Sequence, residues 1–363
     1  MENKMLSTHP SVFAVNDEYQ ICTLVNSECI MWVEVSGKRY FDHSNGVMRS
    51  ASFLHIVKVP MAAIDCAEEY TVFLRRINDR SPNLTKSGEV ESFHYNFKRL
   101  NDKESYNIIN LADSHGLVDA PITSGGYFGD ALDLLILNGD IHGHSDDIQK
   151  FKAIYLIAGA ITKGRVPCVF ARGNHDLRGK CAEFLEHYTP TDHGRTYFTF
   201  RVGPVWGIVL DMGENKGDTN PDYGGTICCN DLREAEEEFL ERVISEREYA
   251  EAPIRIVISH NPFVHRMHAP HDVAQDTCFR WCQQLKLIKP HLWLSGHFHV
   301  TFLEAPGDEH DTYGAPCPVL TSSWVNVDNK QHISGAVTLS DDCVIVRYHN
   351  ESGKIVKEEE MKL

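Results

Sequence analysis

Short apolar runs recur from the middle of the chain onward, and five of them, at residues 106–112, 132–138, 166–171, 254–259 and 291–295, stop against polar residues. Runs of this length, rich in branched side chains and spaced widely enough for helices between them, predict buried strands of a largely parallel sheet. Ahead of residue 100 the pattern tightens. Strands are predicted at 19–25, 29–35, 38–43, 51–59, 70–77 and 92–100, with turn residues between them, as in a β-sandwich of immunoglobulin or fibronectin type with Trp32 in its core. Residues 78–88, rich in Asn, Asp, Ser and Pro, read as a hairpin loop.

Between the fourth run and what precedes it, residues 201–211 predict a strand pair that runs into a loop at 211–229, rich in Gly, Asn and Asp and long enough to serve as a substrate lid. Residues 230–247 form an amphipathic pattern, with Asn230 as the expected cap and Leu232, Phe239, Leu240, Val243 and Ile244 on one side. A second helix is expected at 272–287, and closing strands at 336–339, 343–348 and 355–361. A chain of 363 residues exceeds what one core usually sustains. The expected organisation is an N-terminal β-sandwich over residues 1–100 and an α/β domain over 101–363.

Composition narrows the partners. Hydrophobic residues at 42% and charged residues at 24% are ordinary for a globular protein. A formal net charge of −16 argues against binding DNA, RNA or an anionic membrane surface nonspecifically, since those partners need a basic face. It leaves a small phosphorylated substrate open, because remote charge is screened over about 8–10 Å. The opening MENKMLSTHPSVF lacks the apolar stretch of a signal peptide, and no run approaches a membrane span, so a cytoplasmic location is expected. Eleven cysteines without paired CxxC spacing fit free thiols in a reducing compartment.

The polar endings carry the chemistry. They are Asp113 with His115, then Asp140, then Asn174, His175 and Asp176, then His260, and finally His297 with His299. Ligands gather at the carboxyl ends of strands in open α/β sheets, so the five endings are expected on one rim. Imidazole mixed with carboxylate or amide oxygen, without thiolate, suits Mn, Fe, Zn or Co at an open site. Gly139, Gly173 and Gly296 each precede a ligand, where the backbone must come close. Arg172 is a candidate clamp for phosphate oxygens because a guanidinium fork matches them. His142, His144, His265, His268 and His271 cluster after the ligand blocks and are candidates for the substrate rim.

In order, residue type and strand context these blocks resemble the calcineurin-like metallophosphoesterase superfamily: Asp113-Ser114-His115, Gly139-Asp140, Gly173-Asn174-His175-Asp176, His260 and Gly296-His297-Phe298-His299, over roughly residues 100 to 335. The resemblance implies a four-layer αββα sandwich. It also implies that Asp113, His115, Asp140 and His299 hold one ion, that Asp140, Asn174, His260 and His297 hold another, and that Asp140 bridges them. His175 would protonate the leaving oxygen and Asp176 would orient it. Two divalent or mixed-valence ions roughly 3.5–4 Å apart would then activate a hydroxide that attacks phosphorus in line. With two ligand carboxylates the local charge is about +2 before hydroxide binds, which favours an anionic ester.

A sandwich ahead of such a domain resembles the purple acid phosphatase architecture. The iron-binding tyrosine of that family would stand three residues after Asp140, where this chain has Gly143, and His115 stands where that family usually lacks a histidine. A coloured iron-tyrosinate centre is therefore not expected. The expected activity is hydrolysis of a small phosphomonoester, with a phosphodiesterase on a cyclic nucleotide or other small diester as the alternative. A non-catalytic scaffold on the same fold is the reading outside enzymes, and the sequence leaves open whether the β-sandwich mediates self-association or contacts a partner.

Overall fold

The computed structural model describes residues 5–265 and 267–363, so Met1–Lys4 of the opening segment lie outside the description. Two sheets face each other. The larger is ten-stranded and contains the parallel strands Tyr106–Leu111, Leu134–Asn138 and Pro167–Ala171. The second is six-stranded and contains the parallel strands Ile254–Ser259 and Leu292–Ser295. All five expected runs are thus strands, divided three and two between the sheets.

Alternation explains why such runs read as continuously apolar. In Leu134–Asn138 the side chains of Leu134 and Ile136 join the core between the sheets, while Leu135 and Leu137 join a second cluster on the outer face. There they meet Ile154, Tyr155, Ile157 and Ala158 of the helix Lys152–Thr162. The other sheet does the same. Ile256 and Ile258 face inward, and Val257 packs outward with Leu240 of the helix Cys229–Glu246 and Trp281 of the helix Gln275–Ile288. Helix, sheet, sheet and helix are therefore stacked as four layers, the expected αββα sandwich. Each aliphatic side chain fully buried this way contributes roughly 1.5–3 kcal/mol relative to exposure.

The N-terminal strands do form a second sandwich layer. The sheet of Lys38–Phe41, Cys29–Val35, Glu69–Arg80 and Thr85–Asn96 places Met31, Val33, Val72 and Leu74 against Tyr19, Ile21, Val57 and Val59. The division expected at residue 100, however, is a boundary in sequence and not in hydrogen bonding. Ser11–Val15, a strand the sequence reading passed over, pairs in parallel with Pro167–Ala171, and Glu18–Leu24 and Leu54–Pro60 extend the same sheet. Trp32 is buried, as expected of a core residue. It lies on the opposite face from Met31 and Val33 and stacks on its cross-strand partner Phe73, with ring centroids 5.2 Å apart.

At the other end, Gln331–Leu339 pairs antiparallel with Tyr106–Leu111 and is followed by Cys343–Asn350 and Ile355–Lys362. The predicted hairpin loop at 78–88 is shorter than expected, since the flanking strands run on to Arg80 and resume at Thr85. The helix expected from 230 begins at Cys229, and Asn230 does not cap it. Asp218, from the preceding loop, accepts the backbone N–H groups of Cys229 and Asn230 at 3.1 and 2.9 Å.

Candidate metal centre

The strands of both sheets end on the same rim, and the chain turns sharply there. Five of the seven expected ligands, Asp113, His115, Asp140, His297 and His299, have left-handed backbones with φ between 45° and 75°. Residues with a Cβ resist that conformation, so the surrounding structure must impose it. Local hydrogen bonds do this in part. Asp113 Oδ2 accepts the N–H of His297 at 2.8 Å, and Asp140 Oδ1 accepts the N–H of His175 at 2.8 Å. Each carboxylate thus staples one ligand block to another.

The glycines make the approach possible. A Cβ on Gly173 would lie 2.2 Å from Asp140 Oδ1, and one on Gly139, whose φ is +80°, would lie 2.5 Å from His260 Nδ1.

The remaining donor atoms converge. Asp113 Oδ1 lies 3.3 Å from His299 Nε2 and 3.7 Å from both His115 Nε2 and His260 Nε2. His260 Nε2 is 3.3 Å from Asp140 Oδ2. His115 Nε2 and His299 Nε2 are 2.9 Å apart, a spacing suited to two nitrogens on one ion at metal–nitrogen distances of about 2.0–2.1 Å. His297 Nδ1 lies 3.0 Å from Asn174 Oδ1. Three overlapping donor groups result: Asp113 with His115 and His299, Asp113 with Asp140 and His260, and His115 with Asp140 and His175.

Two of these atoms, Asp113 Oδ1 and His260 Nε2, are buried with no hydrogen-bond partner. Buried polar atoms are normally satisfied, so orphans aimed at a common point fit a cation between them. His260 is also held in the ligating tautomer. Its Nδ1–H donates to the carbonyl of Asn138 at 2.7 Å, which leaves the Nε2 lone pair facing the carboxylates. The donor set fits a dinuclear divalent metal centre.

The electrostatics of the bare residues make the same point. Burial alone would raise the Asp140 carboxyl, yet His260 chiefly, with His175 and His115, holds it well below the carboxylate range. Burial opposes protonation of His260, but the charges of Asp140 and Asp113 push it up to about 10. Burial brings His297 down to about 4. Without cations the carboxylates draw a proton to the imidazole that faces them.

Three sequence expectations are corrected around this centre. Asp176 does not orient His175. Its Oδ2 accepts the N–H groups of Gly173 and Asp140 at 2.8 and 3.4 Å, and its Oδ1 faces His142 Nδ1 at 3.4 Å. It braces the turn that carries Asp140.

Arg172 is engaged elsewhere, its Nε 2.6 Å from Asp211 Oδ2. The arginine beside the site is Arg178, whose Nη1 lies 3.1 Å from His175 Nε2. The 211–229 loop, expected as a lid, is built into the site's wall. It supplies Glu214, which takes Arg178 Nε and Nη2 at 2.5 and 2.9 Å, and Tyr223, whose hydroxyl donates to Glu214 at 2.8 Å. The same loop supplies Asn215, whose Nδ2 lies 3.4 Å from His297 Nε2.

Of the candidate rim histidines, His142 is buried and bonded to Ser145, while exposed His144 stacks on His175 with centroids 4.7 Å apart. His265 is buried against Glu304 and stacks on Phe298. Arg178 stands two residues after Asp176 and was visible in sequence, but Glu214 and Tyr223 carried no motif.

A family profile described as calcineurin-like phosphoesterase matches residues 104–301. Among solved structures, the purple acid phosphatase PPD1 from seeds of yellow lupin (Lupinus luteus) is 11% identical, with 98% of this chain and 74% of that one covered at a TM-score of 0.62. PhoD is 9% identical, with 100% of this chain and 90% of that one covered at a TM-score of 0.57. At these identities the likeness is one of fold. No curated protein sequence matches the chain. No helix among the described residues is long and apolar enough to cross a membrane.

Proposed function

The chain belongs to the calcineurin-like phosphoesterase family, and from that premise we propose that it is a phosphatase acting on a small phosphomonoester. Metal-dependent phosphoester hydrolysis is the activity that the family and the donor groups support together. The observation that carries it is the pair of orphaned buried atoms, Asp113 Oδ1 and His260 Nε2, among donors from five strand ends.

Asp113, His115, Asp140 and His299 would hold one ion, and Asp140, Asn174, His260 and His297 the other. Two divalent ions, when bound, supply Lewis acidity at the phosphoryl group and a deprotonated water as nucleophile. The chain's own residues do the rest. Asn138 O fixes the ring of His260, and Asp113 and Asp140 hold His297 and His175 through their backbone amides.

His175 is the candidate proton donor to the leaving oxygen. Its Nε2 lies 4.0 Å from Asp140 Oδ2, and the ring remains partly exposed. Burial, with Arg178 and the neighbouring histidines, lowers it to about 4 against the pull of Asp140. A phosphoryl anion set against the ring opposes those causes and favours the protonated form. The dianionic end of a monoester matches a site that combines two cations with the guanidinium of Arg178.

The test pairs metal content of protein purified without chelator with hydrolysis of a chromogenic monoester and a chromogenic diester, with and without added manganese. About two ions per chain and faster turnover of the monoester are expected. Asp140→Ala and His297→Ala should lose metal and turnover together. A preference for the diester would replace the monoester reading, and absence of both metal and turnover would favour a scaffold.

A further inference from the structure

We infer that Arg178 grips the phosphoryl group of the substrate on the His175 side of the metal centre, and that Glu214 and Tyr223 of the 211–229 loop aim it. The inference rests on the phosphoester reading and adds a residue that the metal ligands do not supply.

The geometry is that of a built clamp. A guanidinium has five N–H donors in one plane. Here Nε and Nη2 meet the two oxygens of Glu214, fork against fork, at 2.5 and 2.9 Å, which fixes that plane. The remaining nitrogen, Nη1, lies 3.1 Å from His175 Nε2, which is itself 4.0 Å from Asp140 Oδ2. Its donors therefore sit one imidazole away from the Asp140 carboxylate, which would be shared by the two ions.

Exposure divides the pair. The Arg178 side chain is 30% exposed and that of Glu214 is 0%. A carboxylate buried this deeply is costly unless it is paired and hydrogen-bonded. Glu214 belongs to none of the donor groups, and its partners are Arg178, the Tyr223 hydroxyl at 2.8 Å and the amides of Asn174 and Asn215 at 3.5 and 3.3 Å. Its place in the fold is explained by what it holds.

Arg172 offers the contrast. Its Nε is ion-paired with Asp211 Oδ2, and Asp211 in turn takes the Thr196 hydroxyl at 2.6 Å. That ion pair braces the strand end, whereas Arg178 places Nη1 beside His175, with one N–H toward Nε2 and a second for a phosphoryl oxygen.

Arg178 contacts oxygens that a monoester carries as a dianion and a diester as a monoanion. Its removal should therefore cost the monoester more. The experiment is calorimetric titration of inorganic phosphate into the manganese-loaded full chain, for wild type, Arg178→Gln, Arg178→Lys and Glu214→Gln, with metal stoichiometry measured for each.

Arg178→Gln is expected to weaken phosphate binding roughly 10–100-fold at unchanged metal content, as for loss of a charge-assisted hydrogen bond. Arg178→Lys, which keeps the charge without the fork, should fall between. It carries the same test if the Gln variant does not fold. Glu214→Gln should weaken phosphate binding severalfold while metal remains, a split that a purely structural ion pair would not produce.

Phosphate affinity within about twofold of wild type in the arginine variants would overturn the clamp and leave the phosphoester reading standing. A metal-loaded wild type with no phosphate affinity would overturn both.

Discussion

The interiors of the five site strands and their carboxyl ends lie only a few residues apart, yet they obey opposite rules. In the interiors Ile136, Ile256 and Ile258 are fully buried, with ordinary extended backbones and apolar neighbours on both faces of each sheet. At the ends Asp113 and Asp140 are equally buried, but they have left-handed backbones and face imidazole nitrogens 3.3–3.7 Å away. Each such backbone costs on the order of 1 kcal/mol or more. The strands therefore hold the rim in a shape that the rim's own residues would not adopt, and changes in the two regions should have separable effects.

The sharpest separation comes from Asp140→Asn against Ile136→Ala. The first should lower kcat/KM more than roughly 1000-fold, about 4 kcal/mol of transition-state stabilisation, together with loss of bound metal. The second should destabilise folding by about 2–5 kcal/mol while metal stoichiometry and turnover per folded molecule stay as in wild type. Denaturant titration, metal analysis and steady-state kinetics on both variants check the pair. Loss of metal in Ile136→Ala would erase the distinction.

Gly173→Ala probes the junction itself. The new Cβ would meet Asp140 Oδ1 at 2.2 Å, so the carboxylate must shift. Metal affinity should fall about 10–100-fold, as when a group that orients a ligand is disturbed. Competition of the variant with a chelating dye measures this, and unchanged affinity would mean that the close approach is not needed.

The same contrast sets what could be read from sequence. Strand interiors announce themselves by apolar runs, and the clustered His and Asp donors by residue type at the run ends, so both are legible in the sequence. The hydrogen bonds among the end residues are not. Asp176 adjoins His175 in sequence, but its backbone turn sends the carboxylate to Gly173 and Asp140 instead. Arg172 and Arg178 flank the same block, and only the fold decides which meets Asp211 and which meets Glu214.

The strand Ser11–Val15 carries a local signal, a tight hairpin through Asn16 and Asp17 to Glu18–Leu24, whereas its parallel pairing with Pro167–Ala171, more than 150 residues away, has no local mark. The continuity of the larger sheet across residue 100 rests on that same distant pairing.

A smaller effect is expected at Tyr223→Phe, which removes one hydrogen bond to Glu214 and nothing from the metal ligands. The cost should be about 1 kcal/mol in folding stability. Phosphate affinity of the metal-loaded protein should drop by only a few-fold, because the Arg178–Glu214 fork remains. A drop as large as that in Arg178→Gln would mean that the hydroxyl itself touches the ligand.

The smallest change tests whether the loop acts through its anchorage. Asp218 is far from the metal ligands in role, yet it caps the helix Cys229–Glu246 by accepting the N–H groups of Cys229 and Asn230. A carboxylate at a helix N-terminus also meets the positive end of the helix dipole. Asp218→Ala should cost about 1 kcal/mol, the usual penalty for a lost cap. Asn230→Ala should cost less, since among the described residues the Asn230 side chain accepts from Arg233 Nη2, at 2.6 Å, and not from the helix's first N–H groups.

The two variants, compared by thermal unfolding, therefore rank opposite to the order the local sequence suggests. Asp218 also ties the middle of the loop to the helix, between Glu214 on one side and Tyr223 on the other. Loosening that tie should weaken phosphate binding slightly in Asp218→Ala and leave it unchanged in Asn230→Ala, even though both residues sit at the same helix end.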